Sequence, residues 1–130
     1  MDIVWDTGAI TLFFADHAQA KDYMKKISQN QITGYVPRLI LAEFYYKTTE
    51  KLGKEIAQIR IVALRNSKLI EEVMEEDDIF SIGSIKLSNN NLSLADCTLG
   101  SVAMKRKATI LTTESGFDKV KAIHSIKLDY

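Results

Sequence analysis

Residues 3–10 read IVWDTGAI. Ile3, Val4 and Trp5 follow one another without the polar alternation of a one-faced strand, which predicts a central strand buried on both sides. Asp6 stands at its end, ahead of Thr7 and Gly8. An Asp-Thr-Gly after an apolar run is how an aspartic protease presents its catalytic acid. It is also how an α/β enzyme sets one metal-binding carboxylate beyond the carboxyl end of a parallel strand, where sites in open sheets form. The remaining chain has to separate the two.

Outward from this stretch, strands and helices alternate. Residues 9–14 read as a helix. The spacing of Asp16 and Gln19 is that of a capping box opening another, with Ala20, Tyr23, Met24 and Ile27 on one face. Gly34, Tyr35 and Val36 predict a strand, and Pro37 suits the first turn of the helix that follows. Between positions 39 and 46 that helix is apolar or aromatic everywhere except Glu43, which predicts burial on all sides; it runs to about Leu52, where Gly53 breaks it. The next helix is amphipathic, with Ile56, Ile59, Val62 and Ala63 expected inward. Residues 68–73 predict a strand, 77–88 and 93–105 two helices, and 108–111 another strand. A turn of helix near Phe117 and a strand over 126–128 complete the chain.

One proline and six glycines are too few to punctuate many short hairpins. The expected fold is therefore a three-layer α/β sandwich, one domain over 1–130, with a mostly parallel sheet of about five strands flanked by helices. An aspartic protease of this type is all-β, with a long β-rich stretch before its acid. Here five residues precede Asp6, and that reading fails.

A chain of 130 residues can bury one sizeable core, and 46% hydrophobic with 26% charged residues is the balance of an ordinary globular protein. Seventeen basic residues cancel seventeen acidic ones, so any polyanion has to be held by local patches. Cys97 is the only cysteine, which excludes an internal disulfide and a thiolate zinc site and is compatible with a reducing cytoplasm. No apolar run has the length of a membrane span, and the early charge of Asp2 argues against a signal peptide.

Four carboxylates stand out from their surroundings. Asp6 and Glu114 each follow a predicted strand and face one crevice if those strands are neighbours. Glu43 interrupts the apolar run, where a carboxylate without a task is unusual. Asp96 lies in the first turn of SLADCTLGSVAM, residues 93–104, where Ser93 and Asp96 also have capping-box spacing. Taken singly, Asp96 is equally well explained as a cap, Asp6 as a turn residue before Gly8, and Glu114 as a loop acid.

Together and in this order, VWDTGAI (4–10), LAEFYY (41–46), LSLADC (92–97) and ILTTESGF (110–117) resemble the PIN-domain ribonucleases, in particular the VapC-type toxins. The resemblance covers nearly the whole chain. It implies a metal-dependent endoribonuclease that forms a homodimer and is held silent by a small antitoxin protein whose segment enters the active-site groove. It carries the family's acidic positions onto Asp6, Glu43, Asp96 and Glu114. The last match departs from the usual Thr-x-Asp-x-x-Phe, because Glu114 is one methylene longer; Asp118 is the alternative acid.

The implied chemistry needs acids because a bound Mg2+ or Mn2+ prefers oxygen ligands and can polarise a phosphodiester and ionise a water. Asp6 and Asp96 are expected as direct ligands, and Glu43 and Glu114 as ligands through water or as the base that orients the attacking water. Thr7, Thr112 and Thr113 are candidates for positioning those carboxylates. His17 and His124 stand outside the set, so zinc is not expected.

For the RNA backbone, Lys105, Arg106 and Lys107 end the Asp96 helix about 15 Å away. Cations there also complement a helix dipole, and Lys119 and Lys121 are the other candidates. The six acids within 71–78 read as a solvated surface and helix start. An aspartyl phosphatase would want a second Asp at position 8, which is Gly. Two readings remain beside the toxin: a PIN nuclease for RNA processing, whose usual zinc ribbon is absent, and a catalytically silent PIN-like binding module.

Overall fold

The computed structural model describes residues 1–130. In chain order the elements are β1 (Ile3–Trp5), α1 (Thr7–Phe14), α2 (Ala18–Ser28), β2 (Gly34–Pro37), α3 (Arg38–Leu52) and α4 (Lys54–Arg65). There follow β3 (Ile70–Glu72), α5 (Glu76–Ser88), α6 (Leu94–Arg106), β4 (Thr109–Thr112), a short 3-10 turn (Gly116–Lys119) and β5 (Ser125–Lys127). All neighbouring strands are parallel, in the order β3-β2-β1-β4-β5. The chain thus winds outward from β1 to β3, then crosses to the other side of β1 to form β4 and β5.

Right-handed crossovers place α1 to α4 on one face of such a sheet and α5 and α6 on the other. The packing follows: α1 rests on α2 and α3, α3 on α4, and α5 on α6. The reversal of winding between β1 and β4 makes a crevice beyond their carboxyl ends. β1 occupies the centre, all three of its side chains fully buried in a core cluster of 22 residues. Trp5 meets Phe13 edge-on at 6.3 Å, and Phe14 stacks on Phe44 at 5.7 Å. These aromatic contacts seat α1 on the sheet and against α3, which sets the position of both walls of the crevice. No helix is long and apolar enough to cross a membrane.

Every expected strand is present within two residues of its predicted bounds. Several local expectations are corrected. Asp16 does not open α2: it takes a left-handed φ of 64° and pairs with Lys21, while His17 is the N-cap. Pro37 is the last residue of β2 and the N-cap of α3 rather than a residue of its first turn. The apolar run on α3 is not buried all round, for Leu39, Ala42 and Tyr46 face solvent while Ile40, Leu41 and Phe44 face the core.

The largest correction concerns α4. Ile56, Ile59, Val62 and Ala63 are all exposed, Ile59 by 63%, and the inward positions are Ala57 and Leu64. This helix packs chiefly on α3, so only a narrow stripe is covered. Apolar periodicity identifies a face but not what lies opposite it.

The acidic run 71–78 is also more than solvated surface. Glu71 receives Arg38 at 2.5 Å and Arg65 at 3.0 Å, and these guanidinium groups hold its carboxyl low against the opposing effect of partial burial. Glu72 is buried against Arg106, and Glu75 and Asp78 form the capping box of α5.

Candidate active site

Asp6 follows β1 and caps α1. Its backbone N–H still donates to Leu111 O at 3.0 Å, so it is held at the level of β4. One carboxylate oxygen accepts from the Thr7 N–H at 2.5 Å, the other from the Thr112 hydroxyl at 2.6 Å. Thr112 is fully buried; its hydroxyl gives its proton to Asp6 and accepts from the Glu114 N–H at 3.1 Å. One threonine therefore fixes both an acid and the loop that carries another. The Thr7 hydroxyl donates to Glu43 Oε1 and ties α3 to the start of α1.

Asp96 occupies the third position of α6, with Ser93 as N-cap: its N–H donates to Ser93 Oγ at 3.0 Å, and its Oδ2 accepts from the Ser93 N–H at 3.3 Å. The cap engages one carboxylate oxygen. The same side chain lines a groove of about 550 Å³ with Asp6, Thr7, Glu43, Thr113 and Glu114. Capping and lining the groove are thus roles of one residue, not alternatives. Asp6 is no turn residue: it is the N-cap of α1, and Gly8 lies within that helix, where a Cβ would meet the Thr113 hydroxyl oxygen at 2.2 Å. The lack of a side chain at Gly8 lets the loop after β4 close against α1.

Burial pushes the Asp6 carboxyl up to about 6. The hydrogen bonds from Thr112 and Thr7 oppose that rise, and the Glu114 and Asp96 carboxylates add to it. The donor set is all oxygen and crowded with like charge, which fits a hard divalent cation such as Mg2+ or Mn2+. No three Asp, Glu, His or Cys side chains converge closely enough to enclose an ion by themselves. Magnesium commonly binds in that manner, through one or two carboxylates with water completing its shell.

The other candidates lie elsewhere. Asp118 points to the Ser125 hydroxyl, 3.4 Å away, and is not part of the groove lining. Lys105 pairs with Glu75 and Asp78, each at 3.5 Å, and Arg106 with Glu72 at 2.5 Å. Lys107 forms the left-handed C-cap of α6; it, Lys119 and Lys121 are all outside the groove. The basic residues that line it are Lys47 and Lys51 of α3, with Thr48 between them. Both were legible as i+4 and i+8 from Glu43, one face of one helix, yet only tertiary contacts reveal that this face borders the acids. Cys97 is buried with Ile82, Ile85 and Leu92, and burial raises its thiol pKa, away from thiolate chemistry.

Because Glu114 borders the groove and Asp118 does not, Glu114→Ala is expected to lower the phosphodiester cleavage that the resemblance implies by about 10- to 100-fold, as loss of support around a metal ligand does. Asp118→Ala should leave the rate near that of the parent. The opposite ranking in a single-turnover assay would move the fourth acid to Asp118.

The sequence model of the PIN domain matches residues 3–123. The chain belongs to the PIN-domain family. Solved structures similar to this PIN domain include a chain of VapBC2 from Rickettsia felis bound to a promoter DNA fragment. That match has a TM-score of 0.81 at 18% identity, covering 99% of this chain and 100% of the other. A chain of DNA-bound VapBC from Salmonella typhimurium gives 0.80 at 14% identity, with 98% of each chain covered. VapC20 of Mycobacterium tuberculosis, a Sarcin-Ricin loop cleaving toxin, gives 0.69 at 15% identity, covering 98% of this chain and 90% of that one. At such identities the likeness is one of fold. A search of curated protein sequences found no match.

Proposed function

We propose that this PIN domain is a one-domain, Mg2+- or Mn2+-dependent endoribonuclease and the toxin of a toxin–antitoxin pair. The observation that carries the reading is the meeting of Asp6, Glu43, Asp96 and Glu114, from four separated stretches of chain, in one groove at the switch point of the sheet. A catalytically silent binding module would have no use for four unneutralised acids there. Among fold relatives, one is described as cleaving the Sarcin-Ricin loop and others are VapBC complexes, which supports both the reaction class and an antitoxin partner.

Asp6 and Asp96 would hold the ion, with Glu43 and Glu114 acting through water. The bound cation would polarise the phosphoryl oxygen, lower the pKa of a water and stabilise the leaving oxyanion. The chain's own groups do the rest. Thr112 and Thr7 aim the carboxylates, and Glu43, held by Thr7, orients the attacking water. Lys47 and Lys51 take the flanking phosphates in place of the α6 cations. Exposed apolar side chains on α4 (Ile56, Ile59, Val62) and α5 (Ile79, Phe80, Leu87) leave surface for protein partners, in keeping with a homodimer and an antitoxin. A cytoplasmic site of action belongs to the same reading.

Cleavage of a labelled RNA panel should require Mg2+ or Mn2+ and cease in excess EDTA, returning when the metal is restored. Undiminished cleavage in EDTA, with contaminating nuclease excluded, removes the metal from the mechanism. Lys47→Ala and Lys51→Ala should each weaken binding alike for all sequences and reduce the salt slope of log K by about 1. Lys107→Ala and Lys119→Ala should leave that slope unchanged; the reverse pattern would move the backbone anchor to Lys107 and Lys119.

A further inference from the structure

One part of the groove has no role in the chemistry proposed above. After β5, Leu128 is fully buried and its N–H donates to Thr112 O at 2.8 Å, which anchors the segment beside the site. The chain then passes His17, whose Nε2 lies 2.5 Å from Asp129 O. Nδ1 of the same ring accepts from the Ala20 N–H at 3.2 Å and caps α2. A neutral imidazole that accepts at Nδ1 carries its proton on Nε2, so the ring donates to the Asp129 carbonyl. Neutral His17 thereby clips this segment to the corner between α1 and α2.

The residue held by the clip is Tyr130. Tyr130 lines the acidic groove together with Thr11, Leu12, Lys47 and Lys51, while 86% of the residue remains exposed. An isolated exposed aromatic is ordinary. This one follows two anchored residues and borders the acids and two lysines. The lysines lie one helical turn apart, about 6 Å along α3.

We infer that Tyr130 is a stacking platform for an unpaired base of the RNA strand whose phosphates pass Lys47 and Lys51, and that His17 is the residue that positions it. The inference rests on the ribonuclease reading. A π-face left in water beside a cationic track is the pairing that single-stranded nucleic acid uses: the cations follow the backbone and the ring takes a base of any identity. The base must be unstacked to reach the ring, so the platform selects loops and single strands over duplex.

The test uses the full chain with Asp6→Asn to suppress cleavage, titrated against a labelled single-stranded oligoribonucleotide and an abasic oligomer of the same length. Tyr130→Ala should weaken binding of the intact RNA about tenfold or more, while Tyr130→Phe and Tyr130→Trp bind like the parent. On the abasic oligomer the four proteins should bind alike. His17→Ala should weaken intact RNA by a similar factor, but have no further effect once Tyr130 is Ala; a merely structural loss would add instead. Equal binding by Tyr130→Ala and its parent, with Lys47→Ala still weakened, overturns the platform and leaves the ribonuclease reading standing. So does a fall in Tyr130→Phe as deep as in Tyr130→Ala, which would assign the effect to the hydroxyl. Failure of the parent to bind any RNA, with no cleavage by the unmodified chain in Mg2+, overturns both.

Discussion

Asp6→Asn is expected to silence cleavage and, at neutral pH, to make the metal-free protein more stable. The carboxyl titrates near 6 in the folded chain against an ordinary value of 3.8. A raised folded pKa means that the native state holds the proton more tightly than the unfolded chain. The resulting stability is fully present below about pH 4 and is lost as pH rises through 6. At pH 7 the ionised, buried Asp6 costs about 3 kcal/mol. Asparagine is neutral, nearly isosteric and a good N-cap, so its Oδ1 can still accept from the Thr7 N–H while its Nδ2 donates to the Thr112 hydroxyl oxygen. The mutant should melt about 10 °C higher at pH 7 in EDTA and no higher than wild type at pH 4. Magnesium should raise the melting temperature of wild type more than that of the mutant, because only a bound ion stabilises by linkage. With Asp6 holding the ion as proposed, its removal forfeits several kcal/mol of charge stabilisation in the transition state, about a 10³-fold loss of rate. Melting curves at both pH values and a single-turnover assay decide it; a mutant that melts no higher at pH 7, or cleaves like wild type, removes Asp6 from the crowded site.

Arg106→Ala is expected to lose stability, not RNA affinity. Its guanidinium bonds Glu72 at 2.5 Å, and Glu72 is only 7% exposed. Arg106 also lies over the Tyr35 ring, 5.5 Å from its centroid. Truncation leaves the buried Glu72 carboxylate without its partner, and the melting temperature should fall by several degrees. Lys105→Ala, whose two pairs with Glu75 and Asp78 are both long at 3.5 Å, should cost about 1 kcal/mol or less. Replacing both members of the pair, as in Glu72→Leu with Arg106→Leu, should recover most of the loss because no buried charge is then left unpaired. Denaturant titration of the three proteins separates these outcomes. A folded Arg106→Ala of normal stability that binds RNA poorly would restore Arg106 as a backbone anchor.

The element order was legible because it is a local property. The unbroken apolar run of β1, the Gly53 break, and the Ser93–Asp96 spacing each act over a few residues, and the parallel sheet follows from their alternation. Asp6 and Glu114 could be placed from sequence because strand ends in such sheets point to one crevice. Failures arose wherever a side chain had two possible local roles. Asp16 has the spacing of a cap, but His17 has the partners. The apolar faces of α3 and α4 are real, yet which sector meets another layer depends on how the helices stack.

Charge shows the same division more sharply. Lys105 and Arg106 read as free cations until Glu72, Glu75 and Asp78 fold beside them, whereas Lys47 and Lys51 acquire their place only when α3 packs against α1. The raised pKa of Asp6 likewise exists in no segment by itself, since burial by the assembled core and the approach of Asp96 and Glu114 produce it. Sequence alone determined the layers, the strand order's parallel character and the acids at the strand ends, through backbone propensity and periodic burial. Tertiary structure alone decided which charges are neutralised, which remain available to a substrate, and which acid is forced toward its proton, because electrostatic energy depends on distance and solvent exposure between residues far apart in the chain.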